Sequence, residues 1–297
     1  MDKNLAAFLA VARTRTLTDA SDQLGLTQPS VTKRIANLEE EHGAELFHRH
    51  RRGMTLTAIG KVFFDRAKRI ESEYRQCREE IAAIASAGLS VLRVGAGPLF
   101  HLNYVAGLFA ELKSQYPNLK LELTTDNKYP IGQLLSEGEL DVYLGIIPKE
   151  HLDNTIFVRY VTNVEHGIVI RTDDPNAKRD RIDTSDLTDY NWVIFADDPE
   201  TERTIRKYCV PKAAIAPTID VRTTSFATGL QLVRQGNFVM SAPLQLARRI
   251  ESEGLVIRPN LNGLPQRRAG IHIRKSAVGY GSIQAILEYF DGIAFEQ

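Results

Sequence analysis

Between Thr16 and Glu39 the chain reads as two short helices joined by a tight turn. No other stretch limits the possible folds as much. Ala20 and Leu24 lie four residues apart and share one helical face. Thr18 is the expected N-cap of the first helix, because its hydroxyl can accept a hydrogen bond from an orphan backbone N–H. Gly25 ends that helix, since glycine enters the left-handed conformation without strain. Thr27 caps the next helix, and Pro29 lies in its first turn, where the missing N–H costs nothing. Val31, Ile35 and Leu38 then point inward at helical spacing. The opposite face carries Gln28, Ser30, Thr32, Lys33 and Arg34. Amides and hydroxyls suit base edges and cations suit phosphates, so this face has the chemistry of a major-groove recognition helix. Any small helical hairpin has a polar outer face, so the flanking chain must decide.

Upstream, Leu5, Phe8, Leu9 and Ala12 mark an amphipathic helix able to pack on the pair. Downstream, Gly43 stops the third helix, Arg51-Arg52-Gly53 reads as a turn, and Met54-Thr55-Leu56 as a short return strand. Arg49, Arg51 and Arg52 stand with no acid between Phe47 and Thr57. In isolation such a run is a solvated cationic loop. Beside a recognition helix it is a wing for the DNA backbone or minor groove. His48 and His50 lack a third ligand at sensible spacing, so no metal site is expected.

These residues resemble the signature of LysR-type transcriptional regulators. The matching positions are Leu5-x-x-Phe8, Thr16-Leu17-Thr18-x-Ala20-Ser21-x-x-Leu24 and Thr27-Gln28-Pro29-Ser30-Val31-Thr32-x-x-Ile35-x-x-Leu38-Glu39, followed by Leu46-Phe47-x-Arg49 and Leu56-Thr57-x-x-Gly60. Ser21 stands where the family usually has alanine, and Thr32 where it usually has serine; both are small. The resemblance implies a winged helix-turn-helix over residues 1–57 that binds double-stranded DNA. The candidate contacts are Thr27, Gln28, Pro29, Ser30, Thr32, Lys33 and Arg34 on the helix, with Arg49, Arg51 and Arg52 on the backbone.

Residues 58–90 read as a long linker helix and hinge. Phe63, Ala67, Ile70, Tyr74, Cys77, Ile81 and Ile84 recur at alternating steps of four and three, a heptad seam among dense charges. A helix of roughly 31 residues would be about 46 Å long and must bury that stripe. Packing within its own domain is one solution. Pairing with a second chain is favoured, because a domain of about 60 residues is marginal alone and two half-sites strengthen DNA binding. Cys77 then serves as a small apolar residue of the seam.

From residue 91 the pattern changes to alternating strands and helices, β-α-β-α-β twice over, which predicts parallel sheets with right-handed crossovers. The LysR resemblance continues here at Leu92-Arg93-Val94-Gly95, Tyr116-Pro117, Gly138-Glu139-Leu140-Asp141 and Leu232-Val233-x-x-Gly236-x-x-Val239-x-x-x-Pro243. It implies a two-lobed α/β effector domain over 91–297, like a periplasmic binding protein. One lobe takes 91–162 and 267–297, the other 163–266. Ligands of such sheets lie beyond the carboxyl ends of the strands. The candidate effector contacts are therefore Pro98, Leu99, Phe100, His101, Thr125, Ile146, Ile147, Phe195, Thr224 and Ser225. The family often places serine or threonine near 98–101 to hold a carboxylate; Pro98, Leu99, Phe100 and His101 suggest a ligand with an apolar part. His101 also suits a helix-start hydrogen bond, and Thr224 or Ser225 a helix cap.

Composition narrows the alternatives. The chain has 297 residues, 43% hydrophobic and 25% charged, with zero formal net charge, so any nucleic-acid footprint is local. Cys77 and Cys209 do not form a disulfide framework, which fits a reducing cytosol. The start, Met1-Asp2-Lys3-Asn4-Leu5, has no signal-peptide pattern, and no membrane span is expected. An α/β enzyme is the first rival, yet Gly95-Ala96-Gly97 is followed by Phe100 where a dinucleotide site needs a third glycine. No GxSxG, HExxH, paired CxxC or Walker motif occurs. An exported solute-binding protein with a fused helical module is the second rival; it needs neither the helix-turn-helix nor a cytosolic start. The sequence thus reads as a cytoplasmic, non-enzymatic regulator without cofactor. Its expected partners are DNA, a small effector and its own copies as dimer or tetramer, with RNA polymerase a further candidate.

Overall fold

Asp2 begins the first helix by accepting the N–H groups of Asn4 and Leu5 at 2.8 and 2.9 Å. The computed structural model describes residues 1–51, 53–86, 89–125, 130–148, 154–187, 189–195, 199–208, 219–260 and 264–295. The chain divides into two compact units, Met1–Ala87 and Gly88–Gln297.

The first unit contains α1 (Lys3–Thr14), α2 (Leu17–Leu24), α3 (Gln28–His42), β1 (Phe47–His50), β2 (Gly53–Leu56) and α4 (Ala58–Ser86). Thr16, not Thr18, caps α2: its Oγ1 accepts the Asp19 N–H at 3.1 Å, while Thr18 Oγ1 accepts from the Gln28 amide. The helix starts earlier than its apolar spacing suggests because the αL residue Arg15 ends α1 just before. Gly25 and Gly43 end α2 and α3 at φ +63° each. Thr27 stands at the N-cap of α3 without a capping hydrogen bond; its hydroxyl donates to Ser30 Oγ. The core is Phe8 against Phe47 and Phe63, at ring separations of 5.1 and 4.9 Å, with Leu9, Val31 and Ile35 around them. Each fully buried side chain of this size contributes about 1.5–3 kcal/mol.

Two family positions gain a physical role here. Glu39 Oε1 accepts from the N–H groups of Leu46 and Phe47, so the end of α3 fixes the start of β1. Thr57 caps α4 through the Gly60 N–H and donates to the Glu45 carbonyl, both at 2.8 Å. A Cβ on Gly60 would lie 2.0 Å from the Leu46 oxygen, so only glycine lets α4 leave so close to β1.

α4 corrects part of the heptad seam. Phe63 packs on Phe8, and Ala67 is 1% exposed in the same core. Ile70, Tyr74, Cys77 and Ile81 are exposed, and Ile59 and Val62 continue the outward stripe instead. The side chain of Ile84 lies outside the described residues.

The second unit holds β3 (Val91–Ala96), α5 (Pro98–Asn103), α6 (Val105–Gln115), β4 (Lys120–Thr124), α7 (Ile131–Ser136), β5 (Val142–Ile146) and β6 (Ile156–Val164). It continues through β7 (His166–Arg171), β8 (Asn191–Phe195), α8 (Pro199–Tyr208), β9 (Ile219–Thr223), α9 (Phe226–Gln235) and β10 (Phe238–Pro243). It ends with α10 (Ala247–Ser252), β11 (Leu255–Arg258), β12 (Arg267–Arg274) and α11 (Gly281–Asp291). One five-stranded sheet has the order β4-β3-β5-β12-β6 and the other β11-β7-β10-β8-β9. The chain crosses between them after β6 and again after β11, which makes two lobes.

Neither sheet is wholly parallel, contrary to the expectation from strand–helix alternation. β3 pairs in parallel with β4 and β5, and β8 with β9 and β10. β12 runs antiparallel to β5 and β6, and β7 antiparallel to β10 and β11. The connections from β6 to β7 and from β11 to β12 leave one lobe for the other, so no crossover helix turns these strands parallel. Asp141, fully buried, pins three strands of the first lobe: it accepts from the Arg93 N–H and the Arg274 guanidinium, both at 2.9 Å.

Candidate nucleic-acid interface and effector cleft

α3 turns Val31, Ile35 and Leu38 into the core, which forces the residues between them outward. Thr27, Gln28, Pro29 and Lys33 are exposed; Ser30, Thr32 and Arg34 are half-buried. Gln28 is held at the helix start by its amide donating to Thr18 Oγ1 at 3.0 Å. Arg34 leans back toward α1, its guanidinium 3.5 Å from the Lys3 carbonyl. Ala36 and Asn37 extend the exposed face one turn further, and sequence reasoning missed both. Their signal was available: they sit four residues after Thr32 and Lys33.

β1 and β2 form a two-stranded antiparallel wing, with His48 opposite Thr55 and Arg49 opposite Met54. Arg49 and Arg51 are exposed on it; Arg52 lies outside the described residues. The wing is fixed at its far end as well, where the Met54 N–H donates to the Arg15 carbonyl at 2.8 Å. The first unit therefore presents a polar helix face and a cationic hairpin with fixed strand register. That arrangement can lay α3 in a major groove while the wing meets phosphates.

In the second unit the carboxyl ends of β3 and β5 meet at the start of α5, where the Gly97 N–H donates to the Leu144 carbonyl at 2.9 Å. Pro98, Thr125, Ile146 and Ile147 are half-buried around these ends. In the other lobe Thr224 is exposed after β9, and Ser225 caps α9 by accepting the Thr228 N–H at 3.2 Å. Leu99 and Phe100 are not cleft residues. They are 4% and 1% exposed, and Phe100 packs edge-on against Phe290. The reason is helix phase: with Gly97 as N-cap, these two positions of α5 turn into the core. His101 places Nδ1 3.3 Å from the Gly97 carbonyl, the helix-start contact expected as its alternative. The side chain of Phe195 lies outside the described residues.

Sequence reasoning also missed Tyr143. Its ring lies across Gly145, where any Cβ would come within 2.4 Å, and its hydroxyl approaches Gly97. His272 stacks edge-on to it at 5.7 Å and is 1% exposed. Burial pushes the His272 pKa down to about 4 and outweighs the opposing contacts with the Gly145 and Ile146 backbone. Among the described residues no cluster of His, Cys, Asp or Glu could hold a metal ion. No described helix is long and apolar enough to cross a membrane.

A winged helix-turn-helix joined to a two-lobed α/β domain defines a DNA-binding regulator with an effector-binding domain. The particular family follows from comparison. The family model described as bacterial regulatory helix-turn-helix protein, lysR family, matches residues 3–61, and that described as LysR substrate binding domain matches 88–292. The chain belongs to the LysR family of transcriptional regulators, which are not enzymes. It is 25% identical to the HTH-type transcriptional regulator YybE of Bacillus subtilis, over 96% of this chain and 90% of the relative. It is 28% identical to the HTH-type transcriptional regulator ShiR of Corynebacterium glutamicum, over 91% of this chain and 89% of the relative. Among solved structures it shares the fold of full-length CbnR complexed with its target DNA, at a TM-score of 0.68 and 18% identity over 98% of this chain and 99% of that one.

Proposed function

We propose that this regulator senses a small molecule in the cleft between its lobes and responds by changing how a cytoplasmic dimer holds DNA. The observation that carries the reading is the pairing, in one chain, of an exposed polar α3 and a cationic wing with the carboxyl ends of β3 and β5, which meet at Gly97 among the half-buried Pro98, Ile146 and Ile147. Gln28, Ser30, Thr32 and Lys33 touch base edges or position the helix; Arg49, Arg51 and Arg52 neutralise phosphates. Arg34 acts at the backbone rather than at a base, because its side chain leans toward α1. Domain limits at 57 and 90 and the lobe limits at 162 and 266 serve as working boundaries for truncation. The exposed stripe of α4 supports self-association, tetramers arise by pairing of dimers, and RNA polymerase is the further partner of a regulator bound near a promoter.

Pro98, Thr125, Ile146, Ile147 and Thr224 surround the effector. Their mixture of apolar and hydroxyl groups suits a molecule with an apolar body and one polar end. A ligand shifts DNA binding only by as much as it distinguishes the two states of the protein. The test is selection of retained DNA fragments by the purified chain, followed by binding to the selected fragment across a metabolite library. Sequence-specific retention and at least one compound that changes affinity are expected. Absence of any fragment preference would overturn the DNA reading; a preference insensitive to every compound, with no thermal stabilisation, would overturn the sensing reading alone.

A further inference from the structure

Away from the strand-end cleft, the groove between α9 and α10 closes into a cavity of about 220 Å³, with the second turn of α5 from the other lobe at its lip. Of the candidate effector contacts among the described residues, His101 alone lines it; Thr125, Ile146, Ile147 and Thr224 do not. Its floor is apolar: Leu246, Ile250 and Leu255 are each at most 1% exposed, and Phe226 is 6% exposed. Its rim is polar and mainly basic, with Arg234, Arg249 and His101 around a single acid, Glu253. Arg234 lies 3.9 Å from Glu253, which offsets that acid. Arg249 donates to the Leu102 carbonyl at 2.6 Å, a bond that holds the guanidinium at the rim and uses one of its five donors.

The geometry points to a second ligand site here, for a small carboxylate with an apolar body. Three arguments converge on that class. The rim favours an anion, and a guanidinium fixed in place matches a carboxylate in two-point geometry. The floor rewards removal of apolar surface from water. The volume lies below the range of about 300–1,000 Å³ that holds drug-sized ligands, so the occupant has about one ring. The site also touches both lobes. Besides Arg249 on Leu102, the Asn103 amide donates to the Gln245 carbonyl at 3.4 Å, so an occupant braces α5 against α10.

The probe is para-(trifluoromethyl)benzoate, titrated into the full chain and followed by fluorine NMR, with the neutral para-(trifluoromethyl)benzamide beside it. Saturable binding of the benzoate is expected, with the benzamide and the Arg249→Gln variant each weaker by about tenfold or more, the effect of one charge-assisted pair. Leu230→Trp fills the cavity and abolishes binding. Should that variant fail to fold, Ala227→Trp on the exposed lip takes its place. Thr224→Trp, which narrows the strand-end cleft, leaves the probe's affinity as it was. The proposal is overturned if the chain shows no saturable binding, if the benzamide binds as tightly as the benzoate, or if Thr224→Trp removes binding and Leu230→Trp does not. A groove filled by a second copy would also give no binding, and would overturn the proposal equally. None of these outcomes depends on whether the strand-end cleft holds an effector.

Discussion

At Gly53 the backbone stands at φ +129°, and a Cβ would lie 2.4 Å from the Arg15 carbonyl oxygen. That oxygen also accepts the Met54 N–H. Alanine meets both a strained dihedral and a backbone collision, and the dihedral alone costs about 1–3 kcal/mol. Gly53→Ala is therefore expected to free the wing: the Met54 amide should exchange faster, and DNA affinity should fall while the second unit keeps its stability. Unchanged exchange and affinity would show that Arg15 does not anchor the wing. A second residue sets a pH dependence in the other unit. The His272 pKa falls from 6.5 to about 4 on folding, through burial. Above pH 6.5 the imidazole is neutral in both states and its contribution is constant. Between pH 6.5 and 4 the unfolded chain takes up a proton that the folded chain refuses, so stability is lost across that window, by about 3 kcal/mol in full. Trp192, the single tryptophan, is fully buried in the same unit and reports its unfolding. Urea unfolding should weaken with acid in the wild type, and less so in His272→Phe. Parallel curves for the two proteins over that range would refute the assignment.

α4 shows how one stripe can serve two purposes. In a straight helix, residues repeating every three and a half positions drift by about 20° per heptad. That drift leaves Ile70 within about 20° of Phe63, so phase does not separate them: Phe63 and Ala67 pack on the core of their own unit, while Ile70 and Ile81, 54% and 62% exposed, lie further along α4, past the last residue of that core. In the self-association proposed above the outward half pairs with a second copy, so Ile70→Asp with Ile81→Asp is expected to yield folded monomers by sedimentation velocity. Ala67→Asp should instead unfold the first unit, because it places a charge in the core. A persistent dimer in the double variant would refute pairing through α4. The spacing of four and three was thus legible in sequence, but not what each residue meets, since that depends on how far along α4 the core of the first unit reaches, and it ends at Ala67. The same limit applied to α5. The end of β3 marked where α5 begins, yet Leu99 and Phe100 point inward because of the phase that the Gly97 N-cap sets. Strand positions were readable from apolar runs. Their directions were not, because the antiparallel pairing of β12 with β5 and β6 joins residues more than a hundred positions apart. The exposed face of α3 was the most legible feature, because Val31, Ile35 and Leu38 alone fix which side is buried.

For the whole molecule, zero net charge and DNA binding are compatible only if charge is segregated. Within the first unit, Lys33, Arg49 and Arg51 are exposed on the helix face and the wing, while Glu40, Glu41 and Glu45 gather around the far end of α3. The binding free energy then has two separable parts. Cations on phosphates release counterions and contribute a slope of about −0.9 in log affinity against log salt for each contact. Residues on base edges leave that slope alone and discriminate among sequences by about 1–3 kcal/mol. The dimer proposed above doubles every contact. Arg49→Ala is thus expected to weaken binding to specific and random DNA alike and to flatten the salt slope by about two. Gln28→Ala should keep the slope and lose preference for the selected fragment, because an amide carries no counterion. Titrations of both variants at several salt concentrations distinguish these roles. If Arg49→Ala left the slope unaltered, the wing would not lie on the backbone, and the cations that offset the acids of α3 would have to be sought elsewhere on the chain.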